Sequence, residues 1–141
     1  MDSPVSIRFR RAEVAARLRA EAVRQQRSTS ALAEELLDEA MRARRHPLIG
    51  FRGGPAGRRA ALVGGPDVWE MIDAIAGGDV APNERIARAV DTFGWTVGQV
   101  EAALAYYAEF TEEIDALRAA NVAAADEAEA SWRRSRGLLA Q

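Results

Sequence analysis

The chain has no cysteine, no lysine and a single histidine, His46. Without thiols there is no disulfide framework, no thiolate nucleophile and no cysteine-ligated zinc or iron–sulfur centre, and one imidazole cannot build a histidine-rich metal site. No run of about 18 uncharged apolar residues occurs, which argues against a membrane span, and Met1 to Gly50 lacks the apolar core of a signal peptide. A soluble protein of the reducing cytoplasm, with no metal and no cofactor, is the expectation. Of nine aromatic residues only Phe9 lies before His46, so the N-terminal part has no stacking platform for single-stranded nucleic acid.

What is present is unevenly placed. The 141 residues carry a net charge of −2, and all 19 basic residues are arginine. Residues 1–46 hold ten arginines against seven acids, net +3, whereas residues 47–141 are net −5. A basic head on an acidic body suits an anionic partner at one end and a different partner at the other. The 30 alanines and the arginine-for-lysine usage reflect a GC-rich coding bias and carry little functional weight.

In the head, apolar Val5, Ile7 and Phe9 alternate with Ser6, Arg8 and Arg10, the period of a strand. From Ala12 to Gln26 the period becomes helical, with Val14, Leu18 and Ala22 on one stripe. Ser28, Thr29 and Ser30 then form an N-cap run for a second helix carrying Leu32, Leu36, Ala40 and Met41, which basic residues and Pro47 end. A strand and two helices of this size cannot bury enough apolar surface alone. The economical solution is a symmetric dimer in which two strands pair antiparallel over four helices, burying the Val14, Leu18, Leu32 and Leu36 stripes.

These residues resemble the ribbon-helix-helix DNA-binding proteins of the Arc, MetJ and CopG type, over residues 4–45. The resemblance implies that the outward residues of the ribbon, Ser6, Arg8 and Arg10, read base edges of double-stranded operator DNA in the major groove. It implies that the start of the second helix, Ser28, Thr29 and Ser30, grips phosphate. One departure is visible: the family usually has glycine between the helices, and here Gln26 and Arg27 stand there, so either a non-glycine residue is left-handed or the turn differs.

Residues 47–141 read as a small helical domain. Two short extended runs around Gly53-Gly54-Pro55-Ala56-Gly57 form a hairpin or an irregular arm. Asp67 and Glu70 frame a capping box before Val68, Met71, Ile72 and Ile75, in a helix ended by Gly77-Gly78. Pro82 starts the next helix, with Ile86, Ala89, Val90 and Phe93. Thr96 and Gln99 cap the last and longest, which no glycine or proline interrupts between Gly98 and Gly137 and which is expected to run unbroken towards Arg133. The whole is mostly α, with domains at 1–46 and 47–141. Residues 46–120 are similar to a small domain found in VapB-like antitoxins paired with PIN-like RNase toxins, through His46-Pro47-x-Ile49, Val68-Trp69-Glu70-Met71-Ile72 and Thr96-x-x-Gln99-Val100. The Gly-Thr-Arg-Ile-Pro stretch of that family is replaced by Gly64-Gly65-Pro66-Asp67.

Each motif has a plainer reading beside the functional one. Arg8 and Arg10 are solvated edge-strand charges or, on a two-stranded ribbon, bidentate readers of guanine. Ser28, Thr29 and Ser30 cap a helix whose unpaired N–H groups can also hold a phosphate. Asp67, Glu70 and Asp73 share a helix face that reads as a solvated acidic start, and with no His or Lys near them no catalytic residue is expected. Trp69, Phe93, Trp95, Tyr106, Tyr107 and Phe110 read as core. Trp132 lies beyond an alanine-rich acidic stretch with little to pack on, so it reads with Val122, Ala125, Asp126 and Glu129 as a partner-binding surface. The function expected is a dimeric DNA-binding repressor, not an enzyme, serving as the antitoxin to a PIN-like RNase toxin. The alternative is an assembly module with a coiled-coil C-terminal helix and incidental DNA binding.

Overall fold

The order of elements follows from where capping groups, glycine and proline interrupt the apolar periods. A computed structural model describes residues 3–55 and 57–140 of the chain. Helix α1 (Ala12–Arg24) and helix α2 (Thr29–Arg45) are followed by strands β1 (Ile49–Arg52) and β2 (Arg59–Leu62) and helix α3 (Val68–Ala76). A 3₁₀ turn (Pro82–Glu84) then leads into α4 (Arg85–Phe93), α5 (Val97–Glu109) and α6 (Thr111–Leu139). The chain divides between Arg44 and Arg45 into two compact units, a head and a body. No helix among the described residues is long and apolar enough to cross a membrane.

In the head the inter-helix turn solves its missing glycine by placing Gln26 itself in the left-handed region, at φ 53°. The Gln26 N–H donates to the Val23 carbonyl at 3.1 Å and the Arg27 N–H to the Ala22 carbonyl at 2.9 Å, the two reversed bonds of a Schellman motif. Ser28 Oγ accepts from the Ala31 N–H at 3.1 Å, so the next helix is capped at once. Residues 5–10, expected to be a strand, have no ladder partner in the single chain and no regular secondary structure. A lone strand has nowhere to send its N–H and C=O groups. Among the described residues of the head only Ala22 and Leu32 are buried, which is no core for a unit of this size.

The body is built differently. β1 and β2 pair antiparallel, Ile49 opposite Leu62 and Arg52 opposite Arg59, around the glycine-rich turn. Their inner residues meet α3, and Ile49, Leu62, Val68, Met71, Ala89, Val100, Ala103, Tyr106 and Ile114 form one apolar core. Both expected capping boxes are present, Asp67 with Glu70 and Thr96 with Gln99.

The expected unbroken last helix is instead two, because Phe110 leaves helical geometry at φ −121° and ψ 43°. Neither Gly nor Pro causes the break; tertiary packing does. Tyr106 and Ile114 are both fully buried in the same core, and folding back at Phe110 lets α5 and α6 both pack on α3. Side chains then clamp the corner: Thr111 Oγ1 donates to the Tyr107 carbonyl at 2.7 Å and the Tyr106 hydroxyl to Glu113 at 3.0 Å. At the far end α6 passes Arg133 and carries Gly137 inside it as far as Leu139.

The core aromatics are not equally buried. Tyr106 is enclosed, while Trp69, Trp95, Tyr107 and Phe110 are half-buried against the core. Phe93 is exposed and stacks on Trp95 with centroids 4.5 Å apart, so it belongs to the surface and not to the core.

Candidate nucleic-acid interface

The N-terminal segment keeps the alternation written in its sequence. Ile7 and Phe9 line an open groove of about 520 Å³ together with Val14, Leu18, Leu36 and Leu37, all within the head. Val5 lines a second groove with Ala31, Leu37 and Met41. Ser6, Arg8 and Arg10 line neither, and all three are exposed. Among the described residues no hydrogen bond or ion pair engages either guanidinium, so both keep their full donor sets for another molecule.

Apolar exposure in the head is high for side chains at the core spacing of a strand or a helix. Val5 is 87% exposed, Leu36 46% and Met41 60%. In the stripe expected to be buried, Leu32 is enclosed, Val14 and Leu18 are half-buried and Leu36 is open. One edge of the groove is polar: Glu21 lines it, and hydrogen bonds from Arg24 and then Gln25 hold its carboxyl down to about 2.

The start of α2 has the electrostatics of an anion site. Its first turn contains no acid, and Ser28, Thr29 and Ser30 are exposed. Ser28 Oγ is spent as the cap acceptor, which leaves Thr29 and Ser30 as the hydroxyls with no intrahelical task. Arg27, beside them in sequence, is tied to Glu35 at 2.8 Å and is not available in the same way.

The residues assigned to partner binding all lie on α6 beyond Arg118. Val122, Ala125, Asp126, Glu129 and Trp132 are exposed, and beyond Arg118 only Ala130 of this helix is even half-buried. Arg133 pairs with Glu129 one turn back, Arg134 with Glu127, and the Arg136 guanidinium carbon sits 5.6 Å from the centre of the Trp132 ring. These contacts are intrahelical and keep the helix formed without a second layer.

Asp67 departs from its expected place on a solvated acidic face. It is 4% exposed. Arg52 donates to Oδ1 through Nε and Nη2 at 2.9 and 2.8 Å, Arg59 Nε to Oδ2 at 2.6 Å, and Trp69 Nε1 to Oδ2 at 3.2 Å. Burial pushes the carboxyl's pKa up, but the Arg59 and Arg52 guanidiniums overcome that and hold it below its ordinary value of 3.8. Every acceptor position of this carboxylate is engaged within the body, so it is a structural anchor for hairpin and helix. Glu70 returns to the Asp67 N–H, and Asp73 accepts from Arg118.

No family model, curated protein or solved structure matches this chain.

Proposed function

We propose that the protein is a dimeric, sequence-specific DNA-binding repressor of ribbon-helix-helix type, acting as an antitoxin that presents its body and C-terminal helix to a PIN-like RNase toxin. One observation carries the reading. Among the described residues the head encloses only Ala22 and Leu32, while Ile7, Phe9, Val14, Leu18, Leu36 and Leu37 surround an open apolar groove and Arg8 and Arg10 stand unpaired outside it. A second head filling that groove supplies the missing core, and the two N-terminal segments then supply each other's ladder.

The ribbon so formed shows Ser6, Arg8 and Arg10 twice on its polar side. Two strands fit the major groove, and alternate arginines are suited to O6 and N7 of guanine. Thr29 and Ser30, with the N–H groups at the start of α2, take a flanking phosphate without lysine. Phosphate contacts fix register and the ribbon carries sequence preference.

The experiment is recovery of DNA bound by the purified protein from fragmented genomic DNA of its own organism, followed by binding of the recovered sequence at fixed salt. A single enriched palindrome, bound about 10³-fold or more tighter than random duplex, supports the reading. Equal affinity for all duplexes contradicts it.

A further inference from the structure

Beyond Arg118, α6 is a helix with no second layer, and its sequence says what can cover it. Its acids, Asp126, Glu127 and Glu129, all precede its arginines, Arg133, Arg134 and Arg136. The apolar side chains Val122, Trp132 and Leu139 are 56%, 60% and 78% exposed. Charge split in this way along one helix is its own complement when the helix is reversed.

The geometry points to a second copy of this chain as the occupant, with the two α6 helices antiparallel about a dyad between Ala130 and Ser131. Steps of three and four place Val122, Ala125, Glu129, Trp132, Arg136 and Leu139 on one face. Reversal about that dyad maps the face onto itself: Val122 lies opposite Leu139, Ala125 opposite Arg136, and Glu129 opposite Trp132. On the flank Asp126 lies beside Arg133 of the other copy, whereas Glu127 and Arg134 point away from the pair. Both ends of the pair are therefore apolar on apolar, and each acidic stretch lies along the other copy's basic one. Ala125 and Ala128 beside the dyad leave room for the two Trp132 rings.

A parallel pair sets acid on acid and arginine on arginine, which the same charges oppose. The pairing is a property of α6 alone and does not rest on the DNA reading of the head. It occupies the face assigned to a toxin, so self-pairing and partner capture compete for one surface.

The test uses the full chain in sedimentation equilibrium, with two charge-reversed variants. One carries Arg133→Glu, Arg134→Glu and Arg136→Glu, and the other Asp126→Arg, Glu127→Arg and Glu129→Arg. Each variant alone should halve the mass of the parent assembly, and an equimolar mixture should restore it. Helicity by circular dichroism separates this from loss of the helix, and a conservative Arg133→Lys, Arg134→Lys, Arg136→Lys variant should keep the parent mass. Halving from four chains to two shows head pairing as well; halving from two to one shows α6 pairing without it. The cysteine-free sequence allows an orientation test. Val122→Cys mixed with Leu139→Cys should form a disulfide, whereas Val122→Cys alone should not, since its two copies lie about 25 Å apart along the pair. Unchanged mass in both charge variants together with no disulfide between Val122→Cys and Leu139→Cys chains, or a disulfide between two Val122→Cys chains, overturns the proposal.

Discussion

Arg59 on the first position of β2 donates its Nε to Asp67 Oδ2 at 2.6 Å, tying the hairpin to the N-cap of α3. Arg52, directly across the ladder from Arg59, holds the other oxygen of the same carboxylate. One buried acid thus fixes both strands to the helix that carries Val68, Met71 and Ile72 into the core.

Asp67→Ala should cost about 2–3 kcal/mol in urea unfolding, combining a lost helix cap with two arginines left without their acceptor. The cost stays below that of a fully buried pair because Arg52 is half-exposed and regains water.

The same carboxyl predicts an acid limb. Its native pKa lies below the ordinary 3.8, so the unfolded chain takes up the proton first as pH falls. Its contribution is fully present above 3.8 and is lost as pH drops through the lower native value. Asp67→Asn should flatten that part of the stability curve, measured as unfolding midpoint against pH, and an unchanged acid limb would contradict the role.

Gln26→Gly should stabilise the protein by up to about 1 kcal/mol, because glycine enters the left-handed region without the side-chain penalty that Gln26 bears at φ 53°. Thermal unfolding at matched protein concentration is the measurement. A loss of stability would mean that the turn is held by something other than the two Schellman bonds.

Gly78 and Arg88 should be coupled. Arg88 Nη2 donates to the carbonyls of Ala74 and Gly77 at 2.6 and 2.7 Å, closing the end of α3, and a Cβ on Gly78 would collide with Arg88 Nη1. Gly78→Ala should therefore cost about 1–3 kcal/mol, from left-handed strain at φ 85° and from the displaced cap. In an Arg88→Ala background the same change should cost measurably less, and a double-mutant cycle with no coupling would sink this account.

Capping residues, glycine and proline are local signals, and what they govern was legible. The hairpin around Gly53-Gly54, the start of α3 at Asp67 and the start of α5 at Thr96 all carry their cause within four residues. Phe110 does not. Nothing beside it breaks a helix; the break answers a demand from α3, distant in sequence. Asp67 was legible as a cap but not as an ion-pair centre, since Arg52 and Arg59 reach it only once the hairpin has formed. In the head the alternation of Val5, Ile7 and Phe9 was readable and its consequence was not, because a strand becomes a strand only with a partner.

On the DNA surface, Arg8→Ala should weaken binding to the recovered sequence by about 1–3 kcal/mol and relax preference at one base position. Ser30→Ala should weaken cognate and random duplex alike. Titrations of both duplexes at one salt concentration separate the two roles, and normal cognate binding by Arg8→Ala would remove the ribbon as reader.

The account stands on the head being completed by a second head, and amide hydrogen exchange over residues 5–10 of the full-length protein tests this most directly. Paired N-terminal segments would protect amides in this stretch, with protection falling on dilution as the dimer dissociates. Exchange at the rate of an unstructured peptide, at concentrations where the protein binds DNA, would contradict the dimeric ribbon.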